Sequence, residues 1–315
     1  MRQHQLALSA LCALAVSPMT ATAAELKVVV TSKPIHSLAA AVMDGVAIPK
    51  LLVEGSASPH TFALKPSGAA AINAADVFFR VSGTVEPFSE KISEALPASV
   101  MLVTLADTAG LTLLDRRTGA TFEEHDKHEG HGGHDDEDDA HGAKDGHVWL
   151  DPENAKLMAQ KIASVLSQKD PVHTAAYAAN AAKLVARIDA LSGEIAAQTK
   201  PLAGRPFIVF HDAYQYFEKR FGLRAAGSIT VSPDVQPSAK RLTALRGKIG
   251  KLDAACVFAE PLFQPKLVAA VTEGTKARAG TLDPEGLSLE AGPELYFTLM
   301  RTMSANLVSC LKPAA

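Results

Sequence analysis

The sequence holds 315 residues, 47% hydrophobic and 21% charged, with a formal net charge of −3, enough chain for two domains of ordinary size. The charge is uneven: residues 123–145 contain ten Asp/Glu and two Lys, a local −8, which leaves +5 on the rest. A mildly basic body with one acidic tract does not fit nucleic-acid binding; it points to a globular protein with an inserted cation-attracting segment.

In chain order, Arg2, His4 and Gln5 form a polar start, Leu6 to Val16 an apolar run, and Thr20-Ala21-Thr22-Ala23 a small-residue stretch. That is the layout of a secretory signal peptide over residues 1–23. The apolar run is short of the ~20 residues a membrane span needs. Cys12 follows Leu11, where a lipoprotein would carry a small residue. Export leaves Cys256 and Cys310, which suggests one disulfide, with two buried free thiols as the alternative.

Leu26–Val30 reads as a strand and Pro34 onward as a helix through Ile35, Leu38, Ala39 and Val42. Lys50–Val53, Val77–Val81 and Val100–Leu105 are further strands, with helical stretches at Pro66–Ala74 and Val85–Leu96. Residues 115–146 are rich in Gly, Asp, Glu and His and nearly free of apolar side chains, so they read as a disordered loop. Pro152–Leu166 is helical, and a long helix begins near Asp170-Pro171, with Asp as N-cap and Pro at the first position. Phe207–His211, Leu223–Ile229, Ala255–Ala259 and Ala277–Leu282 are strands. Ala213–Phe221, Ser238–Ile249, Pro265–Thr275 and Pro293–Leu307 are the helices between and after them. The fold class is α/β: two lobes with parallel sheets, residues 24–169 and 201–315, joined by one long rigid linker helix over 170–200.

Histidines carry the chemistry. His125, His128, His131, His134 and His141 crowd the acidic loop, where imidazole beside carboxylate suits Zn²⁺ and related ions. A disordered loop holds metal weakly, because ordering it costs entropy. His60, His147 and His211 instead follow or end strands or abut a short apolar run, and ligands in open α/β folds gather beyond the carboxyl ends of strands. His36 and His173 sit at helix starts and are assigned as exposed or capping residues. Glu260, Asp212 and Asp151 are candidates to orient ligands through hydrogen bonds.

Gly55-Ser-Ala-Ser-Pro-His60 with Leu64-Lys-Pro-Ser67, His147-Val-Trp-Leu-Asp-Pro152, Phe210-His-Asp-Ala-Tyr-Gln-Tyr-Phe217, Cys256-Val-Phe-Ala-Glu-Pro261 and Gly280-Thr-Leu-Asp-Pro284 occur in that order. They resemble the landmarks of the cluster A-I solute-binding proteins, the metal-binding receptors of ABC transporters, and in particular their zinc-uptake branch. The resemblance implies a periplasmic, monomeric Zn²⁺ receptor without catalysis, with the metal in the cleft between lobes. Its partners would be a zinc ABC-transporter permease and, through the His-rich loop, a periplasmic zinc chaperone. His60, His147 and His211 match the family's three metal-binding histidines and Asp283 its acidic fourth position. Manganese-binding relatives carry a carboxylate where His211 stands. Some zinc receptors have Glu before the first histidine; this chain has Pro59, so the fourth corner falls to Asp283 or water. Cys256 and Cys310 resemble the branch's paired cysteines. A zinc hydrolase is the rival from another class, but an H-E-x-x-H segment is missing.

Overall fold

The computed structural model describes residues 25–117, 121–122, 143–230, 232–233, 235–261 and 265–312; the signal segment 1–23 lies outside them. The first lobe begins with β1 (Val28–Val30), three buried valines whose branched side chains suit a strand covered on both faces. It continues through α1 (Lys33–Val42), β2 (Lys50–Leu51), α2 (Pro66–Asn73), β3 (Val77–Arg80), α3 (Phe88–Glu94) and β4 (Met101–Thr104). The strands are parallel in the order β2-β1-β3-β4. α4 (Pro152–Lys169) and α5 (Thr174–Thr199) follow.

The second lobe repeats the plan with β5 (Phe207–His211), α6 (Gln215–Phe221), β6 (Ala225–Thr230), α7 (Ala239–Leu252), β7 (Cys256–Ala259), α8 (Pro265–Thr272) and β8 (Arg278–Thr281). Its parallel order is β6-β5-β7-β8, the same as the first. In each sheet the chain reverses direction of travel between the first and third strands, β1/β3 and β5/β7. That point opens a crevice beyond the strand ends where ligands bind.

α5 spans 26 residues, about 39 Å at 1.5 Å per residue. Its buried face, Tyr177, Ala181, Leu184, Ile188, Leu191, Ile195 and Thr199, keeps the three-to-four spacing of one helix stripe. That stripe packs against α1, α4 and the last helix, α9 (Leu295–Leu311). The same apolar cluster runs without a break from Val28 and Phe79 through Trp149 to Phe207, Phe258 and Met300. The lobes therefore share one core, and moving them far apart would expose it to water. Smaller clusters cover the outer faces of the two sheets. Cys256 and Cys310 form a disulfide that ties β7 to α9.

Four readings change. α5 starts at Thr174 because Pro171–His173 form a separate 3-10 turn. Asp170 does not cap it through a backbone N–H; its carboxylate accepts from His173 Nδ1 (2.6 Å) and Tyr177 Oη (2.8 Å). His36 is buried, 6% exposed, with Nε2 3.0 Å from Pro49 O, because the chain after α1 folds back over it. Burial lowers its pKa. The ends of 115–146 are ordered: Arg116 N donates to Ala143 O (3.0 Å) and Asp145 N to Leu114 O (2.9 Å), so antiparallel pairing satisfies backbone groups that a free loop would leave to water. Finally, α3 begins only after Pro87, because Glu86 is drawn inward.

Glu86 is fully buried at the β1/β3 crevice, where its carboxylate accepts from Thr31 Oγ1 and from Val81 N (2.7 Å). Burial pushes its pKa up to about 7, against those hydrogen bonds. A raised acid pKa adds stability that is complete below the unfolded value near 4.5 and lost as pH climbs through 7. Glu86→Gln therefore removes a pH dependence on the order of 3 kcal/mol. Urea unfolding at pH 5 and pH 8 measures it: the variant gains on the wild type at pH 8, and equal slopes with pH would contradict the assignment.

Candidate metal centre

His211 is the last residue of β5, at the β5/β7 crevice, and lies 1% exposed. His60 lies in the loop after β2. His147 precedes the 3-10 turn Val148–Leu150 that leads into α4. Gly146 is needed beside it: a Cβ there would sit 2.3 Å from Val85 Cγ2 and 2.6 Å from Thr84 Oγ1.

The three rings converge. His147 Nε2 is 3.3 Å from His60 Nε2 and 3.3 Å from His211 Nε2, and one nitrogen from each ring lies within 4.8 Å of the others. Zn–N bonds of ~2.0–2.1 Å in a tetrahedron place neighbouring nitrogens ~3.3–3.4 Å apart. The observed spacing is the edge of such a tetrahedron. His60 and His147 come from the first lobe and His211 from the second.

Carboxylates set the tautomers. His147 Nδ1 donates to Asp145 Oδ1 (2.7 Å), and the same oxygen accepts from His147 N (3.0 Å). His211 Nδ1 donates to Glu260, 2.7 and 2.8 Å from its two oxygens, and Tyr214 Oη also donates to Glu260 (2.8 Å). Glu260 follows the end of β7, so both sides of the crevice contribute. An ionised carboxylate only accepts, so each Nδ1 keeps its proton and each Nε2 offers a lone pair to the centre. Burial lowers the His147 pKa well below its usual value, and His211 and His60 push the same way. Burial opposes charge on His211 too, but Glu260 overcomes it and raises that pKa. Burial pushes Asp145 and Asp212 each up to about 6.

The acidic corner differs from expectation. Asp283 does not join the rings: its carboxylate accepts from Leu287 N (2.9 Å), Ser288 N (3.0 Å) and Ser288 Oγ (2.7 Å), holding its own turn together. Glu285 points inward in its place. Its Oε1 is 3.1 Å from His60 Nε2 and accepts from Ser58 Oγ (3.4 Å). Its Oε2 is buried with no hydrogen-bond partner among the described residues, an arrangement costly unless a cation completes it.

Asp212 and Asp151 do not orient the rings. Asp151 caps α4 through Glu153 N (2.9 Å) and pairs with Arg220. Asp212 pairs with Arg117, whose guanidinium also bonds Glu218 (2.9 Å to each oxygen) and lies 3.8 Å above the Phe122 ring. Asp145 was missed by the sequence reading, although Asp145-Gly-His147 puts a carboxylate two residues from a histidine. The cavity beside the rings measures about 30 Å³, room for an ion or a water rather than an organic substrate. His125, His128, His131, His134 and His141 lie outside the described residues.

Residues 28–310 match the family described as "Zinc-uptake complex component A periplasmic". The chain belongs to this family, the ZnuA family. It is 49% identical over 304 residues to the high-affinity zinc uptake system protein ZnuA of Brucella abortus (strain 2308), covering 90% of this chain and 91% of that one. To the ZnuA of Paracoccus denitrificans it is 38% identical, covering 91% and 93%. Among solved structures, the laminin-binding protein Lmb of Streptococcus agalactiae, described as bifunctional with adhesin and metal transporting activity, aligns with TM-score 0.75 and 26% identity over 92% of this chain and all of that one. A ZnuA crystal structure aligns with TM-score 0.74 at 24% identity, over 92% and 100%, and supports the ZnuA-type fold.

Proposed function

We propose that this chain captures Zn²⁺ in the periplasm and hands it to the permease of an ABC transporter, with His60, His147, His211 and Glu285 as the ligands. The observation that carries the reading is the convergence of three Nε2 atoms from two lobes, with His147 3.3 Å from each of its neighbours. Three imidazoles suit zinc better than the harder Mn²⁺, which prefers carboxylate oxygen. Glu285 would complete the tetrahedron where the sequence suggested Asp283 or water. The centre is read as binding and releasing the ion, in keeping with a family of uptake receptors. Residues 1–23 serve as the export signal and the mature chain acts as a monomer. The His-rich segment gathers zinc and is the contact for a periplasmic zinc chaperone.

Asp145 and Glu260 hold the rings from behind, so Asp145→Asn and Glu260→Gln should each weaken zinc binding by about 10- to 100-fold. Competition with a chelator of known affinity measures this; unchanged affinity in both would remove them from the site. The transport reading is tested by deleting the gene. Growth should fail only in zinc-depleted medium, and recover with the wild-type chain but not with one lacking His60, His147 and His211. Growth unaffected by zinc depletion would overturn it.

A further inference from the structure

Lys33 opens α1, and its ammonium is turned away from solvent; the residue is 6% exposed. A cation in the first turn of a helix faces the positive end of the helix dipole, which disfavours it. What holds it there comes from the other lobe. Lys33 Nζ donates to Gly286 O (3.3 Å), Leu287 O (3.0 Å) and Leu289 O (2.6 Å), three acceptors for its three protons. These carbonyls belong to the strap that links β8 to α9, and Glu285 lies on that strap.

Glu285 is bracketed. On one side, Pro284 O accepts from Trp149 Nε1 (2.9 Å), and Trp149 stands two residues after His147. On the other, Gly286 O accepts from Lys33. Both donors belong to the first lobe, while the strap belongs to the second. Gly286 has φ +68, and a Cβ there would press on Leu299 and Leu295 at 3.1 and 3.3 Å, so the strap bends at a point that only glycine fills easily. Asp283 locks the inner side of the bend through Leu287 N and Ser288. Ser37, one turn along α1 from Lys33, donates to Pro293 O (3.1 Å) and accepts from Tyr296 N (3.0 Å), so the strap's far end is fixed to the same helix.

We propose that Lys33 is a positioning residue for the metal site, crimping the 286–289 strap onto the first lobe so that the Glu285 carboxylate is delivered to the corner beside His60. The inference rests on the reading of His60, His147, His211 and Glu285 as the zinc site. Lys33 touches no ligand atom. It acts by fixing the backbone next to one, and a ligand displaced by an ångström loses most of its bond to a small cation.

The test uses the mature chain with Zn²⁺ and, as a spectroscopic probe, Co²⁺. Glu285→Gln should weaken zinc by about 10- to 100-fold and change the Co²⁺ visible spectrum as one carboxylate oxygen leaves the tetrahedron. Lys33→Met should give a loss of similar size and the same spectral change. The double variant should lose little beyond either single one, because both remove one interaction. Should the apolar replacement fail to fold, Lys33→Gln, uncharged and too short to reach all three carbonyls, carries the same coupling test. A Lys33 variant with the wild-type spectrum, or a loss that adds fully to that of Glu285→Gln, would mean Lys33 only stabilises the fold, and the proposal fails. A Glu285→Gln chain that keeps wild-type affinity and spectrum would overturn the fourth ligand, and Lys33 with it, while leaving the three histidines standing. Absence of tight zinc binding in the wild type would sink the functional reading itself.

Discussion

Replacing His147 with alanine is expected to weaken zinc binding by about a thousandfold. Protein zinc sites bind with ~10–16 kcal/mol, so one of four ligands carries ~2.5–4 kcal/mol, or about two to three powers of ten. His147 sits at the upper end for two reasons. Its Nε2 is the atom 3.3 Å from both other rings, so its loss opens the middle of the triad. Its ring is also the partner of Asp145, a carboxylate 3% exposed. Without the ring, burial favours the protonated acid at that position, and a negative charge beside the metal is lost as well. Chelator competition reads the effect; a loss below tenfold would show that the ion is held elsewhere.

Arg117→Ala is expected to cost about 3–5 kcal/mol of unfolding free energy, the range for breaking a buried ion pair from one side. Asp212 and Glu218 are 7% and 5% exposed at the side chain, and the Arg117 guanidinium lies between them. Its removal leaves two carboxylates facing each other away from water. Glu218 also accepts from Ala225 N (2.8 Å) at the start of β6, so the disturbance reaches the sheet edge. Arg220, a third exposed and paired with Asp151, is the control: solvent screens that pair, and its alanine variant should lose far less. Urea unfolding of both variants checks the contrast, and equal losses would contradict it.

Much of the fold was legible because it is written in apolar runs. Phe207–His211 was read to both ends, since five consecutive buried residues leave no ambiguity of face. β2 was read as Lys50–Val53, and although the strand proper ends at Leu51, Leu52 N and Val53 N still donate to Val30 O and Thr31 O. Where local grammar and tertiary demand compete, tertiary demand wins. Asp170-Pro171 has the form of a helix start, but the Asp170 carboxylate is taken by His173 and Tyr177, and the helix begins later. His36 looks like a helix-start polar residue until the chain folds back over it.

The site divides in the same way. His60, His147 and His211 stand at strand ends or beside a short apolar run, and the family resemblance marks all three. Which carboxylate stands beside them could not. Asp283 and Glu285 are two residues apart on one strap, and which turns inward depends on the bend at Gly286 and on a lysine some 250 residues away in sequence. Asp145 lies at the base of an insertion whose composition reads as loop throughout, and only the stem pairing with Leu114 reveals it as an ordered group.

The central claim is that His60, His147 and His211 form one zinc site across the cleft. Calorimetric titration of the mature chain with Zn²⁺, repeated on the variant lacking all three, tests it most directly. One tight site per chain is expected, disappearing in the variant and leaving only weak binding by the loop histidines. A wild-type chain without a tight one-to-one site, or a tight site that survives the triple replacement, would contradict it.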